Sequence, residues 1–165
     1  MSWAASSRGT VIVAGRSTRS LAITMNDLAS DVASAAEKAV TLSLTRLEPL
    51  DYSESSLTIV EEMLAEASMY AAQLDEDHIH ALIQQFGSYI LEVGRRRFGG
   101  SYLWHDQNEQ PVLVVGEPSF HVAMITWDKV KGRLSGDIGD NIPFFYAGFA
   151  ERVVAAKPGT RALYV

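Results

Sequence analysis

The sequence predicts an α+β protein: a helical hairpin packed on a small antiparallel sheet, with further helices towards the C-terminal end. Three observations carry this reading. Between residues 57 and 93 apolar side chains recur at three and four, the spacing of one face of a helix. After Gly99-Gly100 the period drops to two in Ser101-Tyr102-Leu103-Trp104-His105, and short apolar runs follow at 112–115 and 120–125. Asn141 followed by Pro143 then restores a helix start. Helices, then a meander, then helices again describe the α+β class.

The 165 residues suit one domain with its own core, assigned to 26–165 and preceded by an extension over 1–25. In that extension TVIVA and SLAITM flank GRSTRS and could pair as a short hairpin; otherwise the segment is expected to be exposed and loosely attached. It lacks the continuous apolar stretch of a secretory signal, and Met25 is an alternative start. Helical pattern begins at Asn26, where Asn26 or Asp27 can cap, and Pro49 bars its continuation.

Asp51 and Glu54 have capping-box spacing for the next helix. Its apolar stripe is Leu57, Val60, Leu64, Ala67, Ala71 and Leu74, with Glu61, Glu62 and Glu66 falling away from it. Asp75, Glu76 and Asp77 open a third helix, where acids suit the positive end of the dipole. That helix buries Ile79, Leu82, Ile83, Phe86, Ile90 and Val93, and the short link favours an antiparallel pair with its predecessor. Arg95, Arg96 and Arg97 complement its C-terminal carbonyls, Glu92 is placed to pair with the first two, and Gly99-Gly100 reads as a left-handed cap. In the meander DQNEQP is a polar turn. Thr126 caps a short helix through Leu134, and a final helix buries Phe145, Phe149 and Val153 before Pro158.

Charge and composition exclude more than they assign. There is no cysteine, which removes disulfides, thiolate metal sites and cysteine nucleophiles and fits a reducing cytoplasm. Residues 1–26 hold three arginines and no acid, so the remainder sets 11 basic against 20 acidic residues, a net −9. Such a body disfavours nucleic acid and suits a basic protein partner. No apolar run reaches the roughly 20 residues that span a bilayer. His78 and His80 lie two apart on a helix and point in divergent directions, so they cannot chelate one ion. Asp137, Asp140 and Asn141 lack the alternation of a calcium loop, and no serine sits in a nucleophile elbow. Catalytic residues, metal ligands and cofactors are therefore assigned to none.

The run Gly87–Trp104 joins Gly87, Tyr89, Glu92, Val93, Gly100 and Trp104, with Pro118 and Tyr146 further on. This pattern resembles an uncharacterised bacterial α+β domain family over residues 57–154. The resemblance implies the fold and, since some small acidic proteins of this look are immunity proteins that block a toxin, an immunity-type role. The expectation is a non-enzymatic bacterial protein-binding module, immunity-type or regulatory, that uses Glu61, Glu62, Glu66, Arg95 and Arg96 as its partner surface. Two alternatives stand beside it: a small hydrolase or ligand-binding protein with a pocket at His105, Glu117 and His121, and a structural subunit of a larger assembly. A homo-oligomer is compatible with each.

Overall fold

The computed structural model describes residues 10–12 and 22–165. The fold is α+β, as its sequence pattern requires. Strand β1 (Thr10–Ile12) pairs antiparallel with β2 (Ala22–Thr24), the pairing expected of the two short apolar pieces. Residues 1–9 and 13–21 of the extension lie outside the described residues, and Met25 belongs to the first helix. Helix α1 (Met25–Ser43) starts one turn earlier than expected because Thr24, not Asn26 or Asp27, is its cap. Thr24 Oγ1 accepts from the Asp27 amide while the Asp27 carboxylate accepts from the Thr24 amide, so Asp27 is the distal half of a capping box.

Before α2 (Leu57–Ser68) the cap also shifts. Asp51 is spent on the Ser53 amide and hydroxyl, and Ser53 caps a 3-10 turn over Glu54–Ser56 that runs into the helix. The buried stripe of α2 is Leu57, Val60 and Leu64, with Ala67 partly covered. Beyond Ser68 the expected continuation breaks into a short 3-10 turn over Ala71–Gln73 and Leu74 is exposed. Helix α3 (Glu76–Phe98) is capped by Asp75, whose carboxylate accepts from the His78 amide. Its main helical neighbour is α1, whereas α2 lies against α4 (Trp127–Leu134) and α5 (Ile142–Ala155). The expected hairpin of α2 with α3 is thus replaced by a packing in which α3 is central. From Phe86 to Gly94 every residue of α3 is buried. Gly87 makes this possible, since a Cβ there would stand 2.4 Å from Trp127 Cδ1.

The main sheet has the order β3-β4-β5-β6, with β3 (Ser101–His105), β4 (Gln110–Val115) and β5 (His121–Met124) antiparallel in turn. Strand β6 (Arg161–Tyr164) then joins β5 in parallel, so the sheet is mixed and not wholly antiparallel. A parallel neighbour needs a crossover of a dozen or more residues, and α4 with α5 supplies it. Gln110 and Pro111, read as part of the turn, belong to β4. Every helix contributes to the cluster that includes Tyr102, Leu113, Val115, Val122 and Met124 on one sheet face. Val112, Val114, Ala123 and Ile125, with Leu103 and Leu163 beside them, form a second cluster on the other face. Gly100 carries the chain from α3 into the sheet at φ 102°, where a Cβ would meet the Val114 carbonyl oxygen at 2.3 Å.

Leu64 and Ile90 have no exposed surface. Leu64→Asp or Ile90→Asp is expected to remove several kcal/mol and leave the chain unfolded at ambient temperature by circular dichroism. Gly87→Ala, a smaller insult, should lower the urea midpoint by an amount equivalent to about 1–3 kcal/mol. Full thermal stability in all three variants would refute the central position of α3.

Candidate functional site

The residues singled out from the sequence separate into three places. The first surrounds Glu92, which is 1% exposed. Its position on α3, one turn before the arginines, brings Arg95 Nε to Oε1 at 2.7 Å and Arg95 Nη2 to Oε2 at 2.9 Å. Arg96 Nε donates to Oε2 at 3.3 Å, and the Tyr102 hydroxyl reaches back from β3 to Oε1 at 2.7 Å. Four donors occupy the roughly four lone-pair positions of a carboxylate. Burial pushes the Glu92 carboxyl up, but the Arg95 and Tyr102 hydrogen bonds, the charge of Arg95 and the Arg96 hydrogen bond outweigh it, and the net is a value below the ordinary range. Burial, and then the neighbouring carboxylate, push the Tyr102 phenol up. Arg96 also lies 3.5 Å over the Tyr52 ring, and the Tyr52 hydroxyl donates to Glu37 of α1. Arg95 and Arg96 are thus paired within the chain while their side chains stay 40% and 48% exposed; the structural pairing with Glu92 is the one their spacing predicts. A carboxylate so fully occupied has no capacity left for proton transfer or for a metal.

The second place is α2, where the three acids part company. Glu61 is partly buried: it pairs with Arg133 at the end of α4, and its Oε2 accepts from the Ile142 amide at the start of α5 at 3.0 Å. The expectation that Glu61 presents an acidic face is corrected here, because α4 and α5 cover that side of α2. Glu62 and Glu66 are exposed and share Arg46, whose two terminal nitrogens each lie 2.9 Å from a Glu66 oxygen.

The third comprises the histidines. His105 stands opposite Gln110 at one end of β4, while His121 lies beyond the Val115–Val122 pair at the other. At about 3.4 Å per residue they are roughly 20 Å apart. His105 Nδ1 accepts from the Asn108 amide, and His121 Nδ1 bonds Glu117. Glu117 and His121 are thus neighbours, but the three-residue pocket with His105 does not form. His78 bonds Asp75 and His80 bonds Gln84, both at the surface. Asp137 caps the turn over Ile138–Asp140, Asp140 pairs with Lys129, and Asn141 caps α5. Among the described residues no group of three or more His, Asp or Glu is arranged to hold a metal ion, and no helix is long and apolar enough to cross a membrane.

One surface escaped the sequence reading. An open groove of about 990 Å³ runs between the α1–α2 connection and α2, lined by Arg46, Leu47, Pro49, Leu50, Ile59 and Glu62 among others. Leu47 is fully exposed, Leu44 is 63% and Leu42 is 48% exposed. Leu42 lies on the last turn of α1, and the connection that carries Leu44 and Leu47 is pinned: Ser43 Oγ accepts from the Leu50 amide at 2.9 Å, and Tyr89 Oη accepts from the Tyr52 amide at 2.8 Å. Tyr89 also bonds Ser56 at 2.6 Å and stacks on Tyr52, which holds φ at 65°. The leucine run after a helix end was the available signal.

Thr126 likewise differs from its expected role. Its hydroxyl donates to the Gly87 carbonyl, and Gln110 takes over at α4, accepting from the Trp127 amide.

No protein-family model, curated protein or solved structure matches the chain.

Two outcomes follow from the ion pairs. Glu92→Gln should cost about 2–3 kcal/mol, less than the 3–5 of a fully buried pair because both arginines are partly in water. The folded pKa of Glu92 lies below its unfolded value, so its contribution is present above about pH 4.5 and is lost as pH falls through the folded value. The stability gap between wild type and Glu92→Gln, read by urea titration, should shrink as pH is lowered from 6 to 3. Glu61→Ala should cost about 1–3 kcal/mol by stranding a helix-end amide and an arginine, whereas Glu62→Ala should stay within about 0.5 kcal/mol. Equal effects of the two would contradict the division of labour on α2.

Proposed function

We propose that this protein is a non-enzymatic binding module for another protein, in an immunity-type or regulatory role, and that it docks its partner on the groove beside the α1–α2 connection. The observation that carries the reading is Leu44 and Leu47 standing in water on a connection locked by Tyr89, Ser43 and Ser56, with Leu47 on the groove and Leu42 exposed at the end of α1 beside it. A leucine exposed on a loose loop needs no explanation, but several held on a rigid one form a surface already ordered for contact. Glu48, Asp51 and Glu62 line the groove with Arg46 as the cation among its lining residues, and Glu66 pairs with that arginine. The matching partner is an apolar segment flanked by basic residues. The acids steer its approach and select it, while the leucines supply the contact energy.

The hydrolase alternative has no comparable support, since His105 and His121 stand at opposite ends of β4.

Immobilised wild-type protein should retain one basic protein from its source cells, and Leu47→Asp should weaken that complex at least tenfold with an unchanged Tm. Glu62→Lys should slow association at low salt, with the difference fading at high salt. His105→Ala and His121→Ala should leave affinity intact. Identical binding by wild type and Leu47→Asp, or its loss in a folded histidine variant, would overturn the proposal.

A further inference from the structure

The main sheet has two apolar faces, and the helices account for only one of them. Strand register and alternation place Leu103, Val112, Val114, Ala123, Ile125 and Leu163 opposite the face of Tyr102, Leu113 and Met124. Val112 and Ala123 have no exposed surface, Ile125 is 1% exposed and Val114 is 5% exposed. Neighbours within one sheet shield each other from the side and not from above, so burial this complete requires a further layer over them. Among the described residues the other apolar side chains against this cluster are Leu103 and Leu163, which belong to the same face. The buried apolar residues of α1, α3 and α5, the helices that touch the sheet, all fall in the cluster on the opposite side.

The regular structure that remains among the described residues is the strand pair β1–β2, and its attachment and size both suit this face. Strand β2 runs into α1 at Thr24–Met25 with no linker. Met25 and Asn26 share a groove with Gly100 and Ser101, where the edge strand β3 begins, and Ser101 is the partner of Val114 on the second face. The pair is thus held at the β3 edge, one strand from Val112 and Val114. Two antiparallel strands of three residues cover about 5 by 10 Å, the area of 112–114 beside 123–125 on β4 and β5. Four of its six residues, Val11, Ile12, Ala22 and Ile23, are apolar and the other two are threonines, so it brings no charge to a dry face.

We infer that β1 and β2 pack on the second face of the main sheet as a separate layer, which makes the N-terminal strand pair part of the folded body. Two sheets stack about 10 Å apart with the side chains of both inner faces between them. A chain whose strand pair is disrupted then exposes a contiguous apolar sheet face, a surface prone to association. Neither the strand pair nor this face lines the α1–α2 groove, so the inference stands apart from the proposed partner site.

The chain has no cysteine, so one introduced thiol reports on one position. Val114→Cys puts it on the second face, and Val122→Cys puts it on the helix side, where Val122 has no exposed surface. In the full chain both should react with iodoacetamide far more slowly than free cysteine. Adding Val11→Asp and Ile12→Asp, which charge the two faces of β1, should speed the Val114→Cys reaction at least tenfold. The Val122→Cys thiol should stay protected and the circular dichroism native. If the aspartates unfold the chain, Val11→Ala with Ile12→Ala is read in the same way, and the Val114→Cys reaction alone should quicken. Unchanged labelling of Val114→Cys in a folded strand variant overturns the inference, as does equal acceleration of both thiols in the alanine pair. Protection of Val114→Cys that disappears on dilution from 300 to 1 μM would assign the cover to a second copy and overturn it as well.

Discussion

A carboxylate removed from water must be neutralised where it stands, and around Glu92 that requirement draws four parts of the chain together. The arginines of the following turn supply the charge, and Tyr102 on β3 supplies the remaining donor. Tyr102 reaches Glu92 only because Gly99 and Gly100 reverse the chain at positive φ, conformations that a side chain would strain. Arg96 in turn covers Tyr52, which bonds Glu37 on α1 and stacks on Tyr89. The ion cluster therefore fixes the angle between α1, α3 and the first strand. It also pins the connection on which Leu47 is exposed.

Residues whose role depends on their own neighbours in sequence were legible. The stripe of α3, the pairing of Glu92 with Arg95 and Arg96, the left-handed glycine cap, the cap at Asn141 and the period of β3 all follow from spacing alone. Roles that depend on what packs alongside were not. Glu61 has the same local pattern as Glu62, yet α4 and α5 cover one and not the other. Thr126 has the sequence context of a cap, but its hydroxyl is drawn to a carbonyl on α3 that only the tertiary fold brings near. Strand β6 is four residues with one arginine, too short for alternation to show, and its parallel direction is set by the length of the α4–α5 crossover. The candidate site was the least legible of all. Leu42 and Leu44 read as the tail of an amphipathic helix; Leu42 is exposed on that helix, whereas Leu44 and Leu47 are exposed because α1 ends at Ser43 and Ser43 recaptures the chain at Leu50.

The net charge of −6 overstates how acidic the surface is at any one place. Glu66 and Glu62 share Arg46, Glu61 holds Arg133, Asp140 holds Lys129, and Glu54 meets Arg97. The exposed pairs among these, such as Glu66 and Glu62 with Arg46, contribute little to stability, but all of them lower the field around the chain. Charge on this protein is therefore better suited to orienting a partner than to holding it. On the proposed reading the contact energy comes from apolar area, which the structure displays at the α1–α2 connection.

Helix α2 stands between the groove and α5. Ile59 and Glu62 face the groove, while Glu61 grips the first amide of α5 from the other side. A ligand on the groove could influence α5 only by moving α2, and α2 is restrained through Leu57, Val60 and Leu64 in the core as well as by Arg133. Packed interiors shift between discrete arrangements or not at all. Nothing in this packing offers α2 a second seat: its apolar stripe is fully buried and its one inward acid is bonded to both α4 and α5. A contact made in the groove should accordingly leave α5 where it stands.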